Sequence, residues 1–440
     1  MNLRSLSLAS LSLAALLTLP LAADGPRPLK VDDIFSLKAV GDPQVSPDGG
    51  WVAYTVRTLD AKKDATDTDI YMVPFAGGAP VRLTSSPKSE TQPRFSPDGR
   101  YIAFLSGREG KKNQVWLLDR RGGEAAKLTD FKADVSDLAW SPDGKRLALV
   151  VGDVDPDEED EEKAEGGGEE KIKTPKPIVI RRLQFLRDGE GFLRDLHQHL
   201  YVFDVESKKS IQVTSGSYDD ADPVWSPDGR WIAFASNRTQ EPDANDNSDI
   251  FVVEAKEGQK PRAVTTSPVT DRSPAFSPDG KSIAYLAGGD PKDFWYGTNH
   301  VAVVPVAGGE PRALTVELDR NVERPRFSPD SRSVYFILES GGNEHLARVP
   351  AAGGAVERLV AGERSIASYS VGPKGEVAVL ESTHRYPAEV SAVEGGSLRR
   401  LTTVNDEFLK GIRLGEVRRF QATSPDGTKV DAFLTLPPDA

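Results

Sequence analysis

A chain of 440 residues with 38% hydrophobic content, 39 glycines and 32 prolines has the make-up of one large, turn-rich repeat domain with short additions. Its net charge of −12 is mostly local, because Asp153 to Glu170 holds eleven acidic side chains and one lysine; the nearly neutral remainder argues against a nucleic-acid partner. With no cysteine, neither a disulfide framework nor acylation at a thiol is available.

Residues 1–23 read as a signal peptide. Arg4 gives a weakly basic start, Leu6 to Leu21 is apolar, and Ala22-Ala23 offers a small-residue cut site. Pro20 ends the apolar run, and no other stretch is long enough to span a bilayer. The expected product is periplasmic or secreted, without membrane contact after cleavage. Residues 24–42 form a leader.

Residues 43–405 are built on a repeated phrase. Ser46-Pro47-Asp48-Gly49 returns at Ser96, Ser141, Ser226 and Ser277, then as Ser328-Pro329-Asp330-Ser331 and as the worn copy Gly372-Pro373-Lys374-Gly375. The steps are 50, 45, 85, 51, 51 and 44 residues. Proline presets the first corner of a turn, aspartate bonds nearby backbone N–H groups, and glycine accepts positive φ. An aromatic residue such as Phe95 or Trp140 precedes most copies. An apolar run with a central alanine, such as Ile102-Ala103-Phe104, follows. The pair reads as a hairpin. A third strand (Ile70 to Val73), a Gly-Gly turn (Gly77-Gly78) and a closing strand (Arg82-Leu83-Thr84) complete the unit. Four strands in each of seven units predict an all-β fold, a seven-bladed β-propeller of four-stranded antiparallel blades. The first unit opens on its own strand near Pro43 to Val45, and the seventh closes on its own strand near Thr402. Closure by face packing, without a shared strand, is therefore expected.

The 85-residue step marks an insertion in the third unit. Its acidic, glycine-rich part, 153–175, is expected to be disordered. Pro177 to Phe185 is apolar and basic, and Asp188-Gly189-Glu190-Gly191-Phe192 is a turn, so an ordered extra hairpin is expected there. His197 and His199 share one face of a strand, but no third zinc ligand lies nearby. The oxygen-rich stretch from Ser236 to Asp249 lacks calcium-loop spacing and reads as a solvated loop. No metal and no cofactor are expected. Regular strands are committed to packing, so ligand contacts are expected in the irregular parts. Arg181, Arg182, Asp188, Glu190 and Arg194 are the candidate substrate-binding set. A carboxylate suits a peptide's amino terminus, and an arginine suits a carbonyl or terminal carboxylate.

No nucleophile elbow G-x-S-x-G occurs; Gly395-Gly396-Ser397-Leu398-Arg399 lacks the last glycine and sits in a hairpin turn. Phosphate-binding loops, a dinucleotide fingerprint and H-E-x-x-H are also missing. The residues alone therefore describe a binding or scaffolding propeller with no catalytic residue.

Residues 406–440 alter that picture. An eighth phrase, Ser424-Pro425-Asp426-Gly427, runs on through Val430-Asp431-Ala432-Phe433-Leu434 to Pro437-Pro438 without a blade, like the first hairpin of another domain. Together with Val31-Asp32-Asp33-Ile34-Phe35, Asp188-Gly189-Glu190-Gly191 and Ser236-Asn237-Arg238, this order resembles the prolyl oligopeptidase family of serine peptidases (family S9), in its acylaminoacyl-peptidase and dipeptidyl-peptidase-like branch. The resemblance implies a following α/β-hydrolase domain with serine, aspartate and histidine, a propeller that caps its active site, and short peptides as substrates. None of the matching catalytic positions lies within 1–440, so this chain alone is expected to be inert. The oligomeric state is left open. The alternative is a TolB-like periplasmic propeller, a binding or scaffold module without enzymatic activity. Such proteins carry an α/β domain before six units, whereas here only 24–42 precede seven.

Overall fold

The computed structural model describes residues 25–110, 112–156, 177–189, 191–290, 292–293 and 296–439. Residues 1–24, expected from the sequence to hold a signal peptide, most of the acidic insertion and Glu190 lie outside the described residues.

Each blade grows from its turn. Ser46 Oγ donates to Asp48 Oδ1 and accepts the Trp51 N–H at 3.0 Å, while Asp48 accepts the Gly50 N–H at 2.9 Å. Gly49, with φ 74°, donates its N–H to the Ser46 carbonyl at 2.8 Å. The serine is thus a relay inside the turn, and its hydroxyl holds Asp48 down at about 2. Ser96, Ser141, Ser226, Ser277 and Ser328 repeat the arrangement. The closing strands repeat a second device. The hydroxyls of Thr84, Thr129, Thr214, Thr265, Thr315 and Thr402 accept the N–H groups of Ile70, Val115, Leu200, Ile250, Val301 and Val390. Each threonine pins the outermost strand to the start of the third.

Seven four-stranded antiparallel sheets result, six made of consecutive strands and the third interrupted by the insertion's hairpin between its second and third strands. Their innermost strands are Ala39–Val45, Glu90–Phe95, Val135–Trp140, Asp220–Trp225, Asp271–Phe276, Val322–Phe327 and Ser365–Val371. Ala53, Ala103, Ala148, Ala233 and Ala284 are wholly buried in the second strands, where blade faces approach closely; blade 6 has Tyr335 at that place. The core is divided into seven apolar clusters, one between each pair of neighbouring blades. The cluster joining blades 7 and 1 holds Val52, Tyr54, Ala378 and Val390. No strand of blade 1 pairs with one of blade 7 among the described residues.

The flanks meet beside that seam. Asn405 accepts the Lys38 N–H and donates to the Lys38 carbonyl, both at 2.9 Å. Arg27–Pro28 runs parallel to Ile412–Arg413. The last hairpin, Val417–Thr423 with Lys429–Thr435, lies against blades 6 and 7. A Cβ on Gly342 would collide with its Phe433 ring, which stands 5.5 Å from His384.

Candidate functional site

Every innermost strand contains a register shift. In five blades the shift falls at a residue followed by a buried proline: Asp42, Gln92, Asp222, Ser273 and Arg324, with φ between 46° and 55°. Proline removes a ladder donor and bars its predecessor from the right-handed helical region. The strand bulges there, and the preceding side chain turns out of the sheet. Asp137 and Ser368 hold the same place in blades 3 and 7, four residues before Ser141 and Gly372. The seven positions ring a central channel.

The ring separates two chambers. A cavity of 910 Å³ lies on the side of the repeated turns, walled by Pro47, Pro97, Pro142 and Pro373 with Phe95 and Trp140. A cavity of 560 Å³ lies on the other side, walled by Ser136, Gln198 and Ala221. Indole N–H groups lock neighbouring inner strands together: Trp140 donates to the Arg94 carbonyl at 3.1 Å and Trp225 to the Ala139 carbonyl at 3.0 Å.

Charge is unevenly spread around the ring. Arg94 of blade 2 pairs with Asp42 of blade 1 at 2.8 Å. Asp222 accepts the Ser273 N–H at 3.2 Å. Asp137 accepts the Leu138 N–H at 2.7 Å and has no ion pair among the described residues. Burial pushes its carboxyl up to about 6, against the Leu138 N–H and Arg94, and with help from Asp222 and Asp42. Blade 6 supplies two guanidinium groups. Arg324 Nε donates to the Ala367 carbonyl at 3.1 Å, and Arg326 donates to the Pro325 carbonyl at 3.0 Å. Neither has a carboxylate partner among the described residues. Desolvation lowers the Arg326 pKa from its ordinary value, although the side chain stays open to the chamber.

The candidate set in the insertion is partly assembled. Arg181 and Arg182 line a groove of 560 Å³ between the insertion and blade 4; it shares Ala221 and Asp222 with the channel and so opens at its mouth. Arg182 pairs with Asp243 at 2.9 Å, and the Gln184 N–H reaches the same carboxylate at 2.9 Å, tying the insertion to the loop after Ser236. Arg194 pairs with Asp155 at 2.8 Å. Asp188 lies in the exposed turn between the short strands Leu186–Arg187 and Gly191–Phe192, away from the groove. Glu190 lies outside the described residues.

The sequence points to irregular segments for ligand contacts, whereas the polar ring around the channel stands on the regular inner strands. Bulging is the reason: it frees one side chain per blade from the sheet. The sequence carried a readable mark of this, a polar residue four places before every turn phrase, in five units with proline next. The three aspartates around the channel were likewise missed.

His197 and His199 face carboxylates. His199 is buried, 3.5 Å from Asp153, and His197 lies 3.3 Å from Asp195. No group of three ligating side chains placed to hold a metal occurs among the described residues. In the loop after Ser236, Asn237 donates to the Pro242 and Asn245 carbonyls and Asp249 accepts from Thr265 and Ser267. Ser397 Oγ donates to the Glu394 carbonyl at 2.7 Å in its exposed hairpin, and no histidine bonds to it.

Comparison with known proteins extends this description. A family model described as the TolB beta propeller domain matches residues 35–172. The uncharacterized peptidase YuxL of Bacillus subtilis is 30% identical over 428 residues, covering 93% of this chain and 64% of its own length. Dipeptidyl-peptidase 5 of Porphyromonas gingivalis is 25% identical over 430 residues, covering 92% and 60%. The structure of Pyrococcus horikoshii acylaminoacyl peptidase superimposes with a TM-score of 0.70 at 19% identity, covering 91% of this chain and 58% of that one, a likeness of fold. The chain thus spans about three fifths of the length of the proteins it matches.

Proposed function

We propose that the chain belongs to the prolyl oligopeptidase family of serine peptidases (family S9), and that it is the substrate-gating propeller portion of a secreted or periplasmic peptidase acting on short peptides. In this reading the serine, aspartate and histidine stand on an adjoining hydrolase domain outside residues 1–440. The observation that carries it is the groove leading into a ringed channel. A groove of 560 Å³ accepts a few residues of extended chain and has no room for a folded domain. Arg181 is the insertion residue placed to contact such a chain, and Arg182 holds the groove wall through Asp243. Asp188, Glu190 and Arg194 remain secondary members of the set.

The test has two arms. The purified chain should neither hydrolyse dipeptide or ester substrates nor react with a serine-directed reagent, because no described serine bonds a histidine base. A protein carrying this chain joined to its hydrolase domain should hydrolyse short peptides, and Arg181→Ala should raise KM with kcat retained. Hydrolysis by the isolated chain, or none by the joined protein, would sink the proposal. The match to the TolB propeller model favours a second reading, a binding module without enzymatic activity. Failure of the joined protein to react with the serine-directed reagent would point to it.

A further inference from the structure

The 910 Å³ chamber holds a charge arrangement that the peptidase reading does not use. Blade 6 presents Arg324 and Arg326, two residues apart on a bulged strand, into one wall. Among the described residues, their hydrogen bonds go to backbone carbonyls alone, Ala367 and Pro325. Arg94, the third arginine of the chamber, is already paired with Asp42. Asp137 and Asp222, on blades 3 and 4, line the same chamber, and Asp222 is near enough to act electrostatically on Arg326.

An arginine inside a protein ordinarily meets an acid, because a planar guanidinium matches a carboxylate with two parallel N–H bonds. Two such groups side by side without a paired acid form an anion-binding wall. The two aspartates give the chamber a negative side, since they repel an anion placed near them and attract a cation. A ligand with a carboxylate at one end and an ammonium at the other fits that polarity. The chamber volume lies in the range of small-ligand sites, and its proline, phenylalanine and tryptophan surfaces suit apolar side chains between the two ends.

We propose that Arg324 and Arg326 bind the C-terminal carboxylate of a short, free peptide inside the propeller channel. The choice of a peptide among carboxylate ligands rests on the peptidase reading; the anion wall itself does not. The site lies within the propeller and is tested by binding alone.

The experiment is calorimetric titration of the full chain with the dipeptide Gly-Phe, with Gly-Phe amide and with inorganic phosphate. Gly-Phe is expected to bind, and its amide at least tenfold more weakly, since the amide lacks the negative charge. Arg326→Gln should weaken Gly-Phe binding at least tenfold with an unchanged melting temperature, and Arg324→Gln should weaken it in the same direction. Equal binding of acid and amide would overturn the proposal, and so would no binding of either. Phosphate binding as tightly as Gly-Phe would overturn the assignment to a peptide terminus and leave a general anion site. The acid–amide comparison uses unaltered protein, so it stands even if a variant fails to fold. Hydrolysis by the joined protein, measured separately, reports on the peptidase reading and leaves this site untouched.

Discussion

Ser331 stands where most other turns have glycine, with φ 61°. A residue with a Cβ is strained there by about 1–2 kcal/mol. Its hydroxyl offsets part of that by accepting the Asp279 N–H of the neighbouring blade at 3.1 Å. Ser331→Ala should therefore cost about 1 kcal/mol, losing the bond and keeping the strain. Ser331→Gly should fall within about 0.5 kcal/mol of the parent, because relief and loss nearly cancel. Urea denaturation of the three proteins checks this; equal stability of the two variants would show that the turn is unstrained. A second residue departs from its repeat. Glu90 and Asp220, buried across from Ser106 and Ser236, meet Arg108 at 3.2 Å and Arg238 at 2.7 Å. Asp271, across from Ala287, has no such partner, because Gly289 occupies the arginine's place and is packed against Gly297. Burial pushes Asp271 up to about 7, opposed by Thr265 and Ser267 and reinforced by Asp249. Its folded pKa exceeds the unfolded value near 4, so the native state holds the extra proton and stability falls as pH rises between about 4 and 7. Asp271→Asn should leave stability unchanged at pH 4 and raise it by roughly 2–4 kcal/mol above pH 7. A pH series of melting temperatures decides, and a constant difference across pH would refute the assignment. The glycines and serines of the turns were legible as a phrase. The missing arginine was not, because its absence has meaning only against the register of the other blades.

At the scale of elements, the insertion divides differently from its composition. Acidity begins at Asp153, and the sequence sets the insertion's edge there. Asp153 nevertheless extends the blade: its N–H meets the His197 carbonyl at 2.8 Å, and its carboxylate accepts the His197 N–H at 2.9 Å. Asp155 in turn holds Arg194. Deleting 157–168, which lie outside the described residues, should change the melting temperature by less than about 2 °C, since that stretch has almost no apolar surface to bury. Starting the deletion at Asp153 should lower it by several degrees through lost backbone and ion-pair contacts. Scanning calorimetry separates the two, and equal melting temperatures would show that the base of the insertion adds nothing. Composition reports solvation. Pairing at a boundary depends on which strand lies opposite, and a single acidic residue does not reveal that.

Across the whole molecule, the number of blades and their mode of closure were legible, because each unit spells out its own first and last strands. The channel was not, since a ring of seven polar residues exists only once the seven units close. Closure rests on apolar surface. Val390 at the seam and Val301 between blades 5 and 6 are both fully buried. Truncating either to alanine should cost about 2 kcal/mol of equilibrium stability. The kinetic outcome should differ. Chain connectivity holds blades 5 and 6 together, whereas blades 1 and 7 have no covalent link at the seam and rely on their apolar faces and on hydrogen bonds such as Lys38–Asn405 and Val45–Ser370. Hydrogen exchange should quicken in blades 1 and 7 for Val390→Ala, and only locally for Val301→Ala. Uniform acceleration in both would show that the seam is no weaker than other interfaces.

That seam has a thermal consequence. A propeller stitched by a shared strand is held by backbone hydrogen bonds, whose strength changes little on cooling. Here no main-chain ladder crosses from blade 1 to blade 7 among the described residues; beside the flank contacts of Lys38 with Asn405 and of Arg27–Pro28 with Ile412–Arg413, the join rests on Val52, Tyr54, Ala378, Val390 and their neighbours. Apolar cohesion has almost no enthalpy near room temperature and fades toward freezing. The ring should therefore behave as a split washer whose gap is sprung by cold: chilled protein should have the loosest closure, and moderate warming should tighten it until the blades themselves begin to melt.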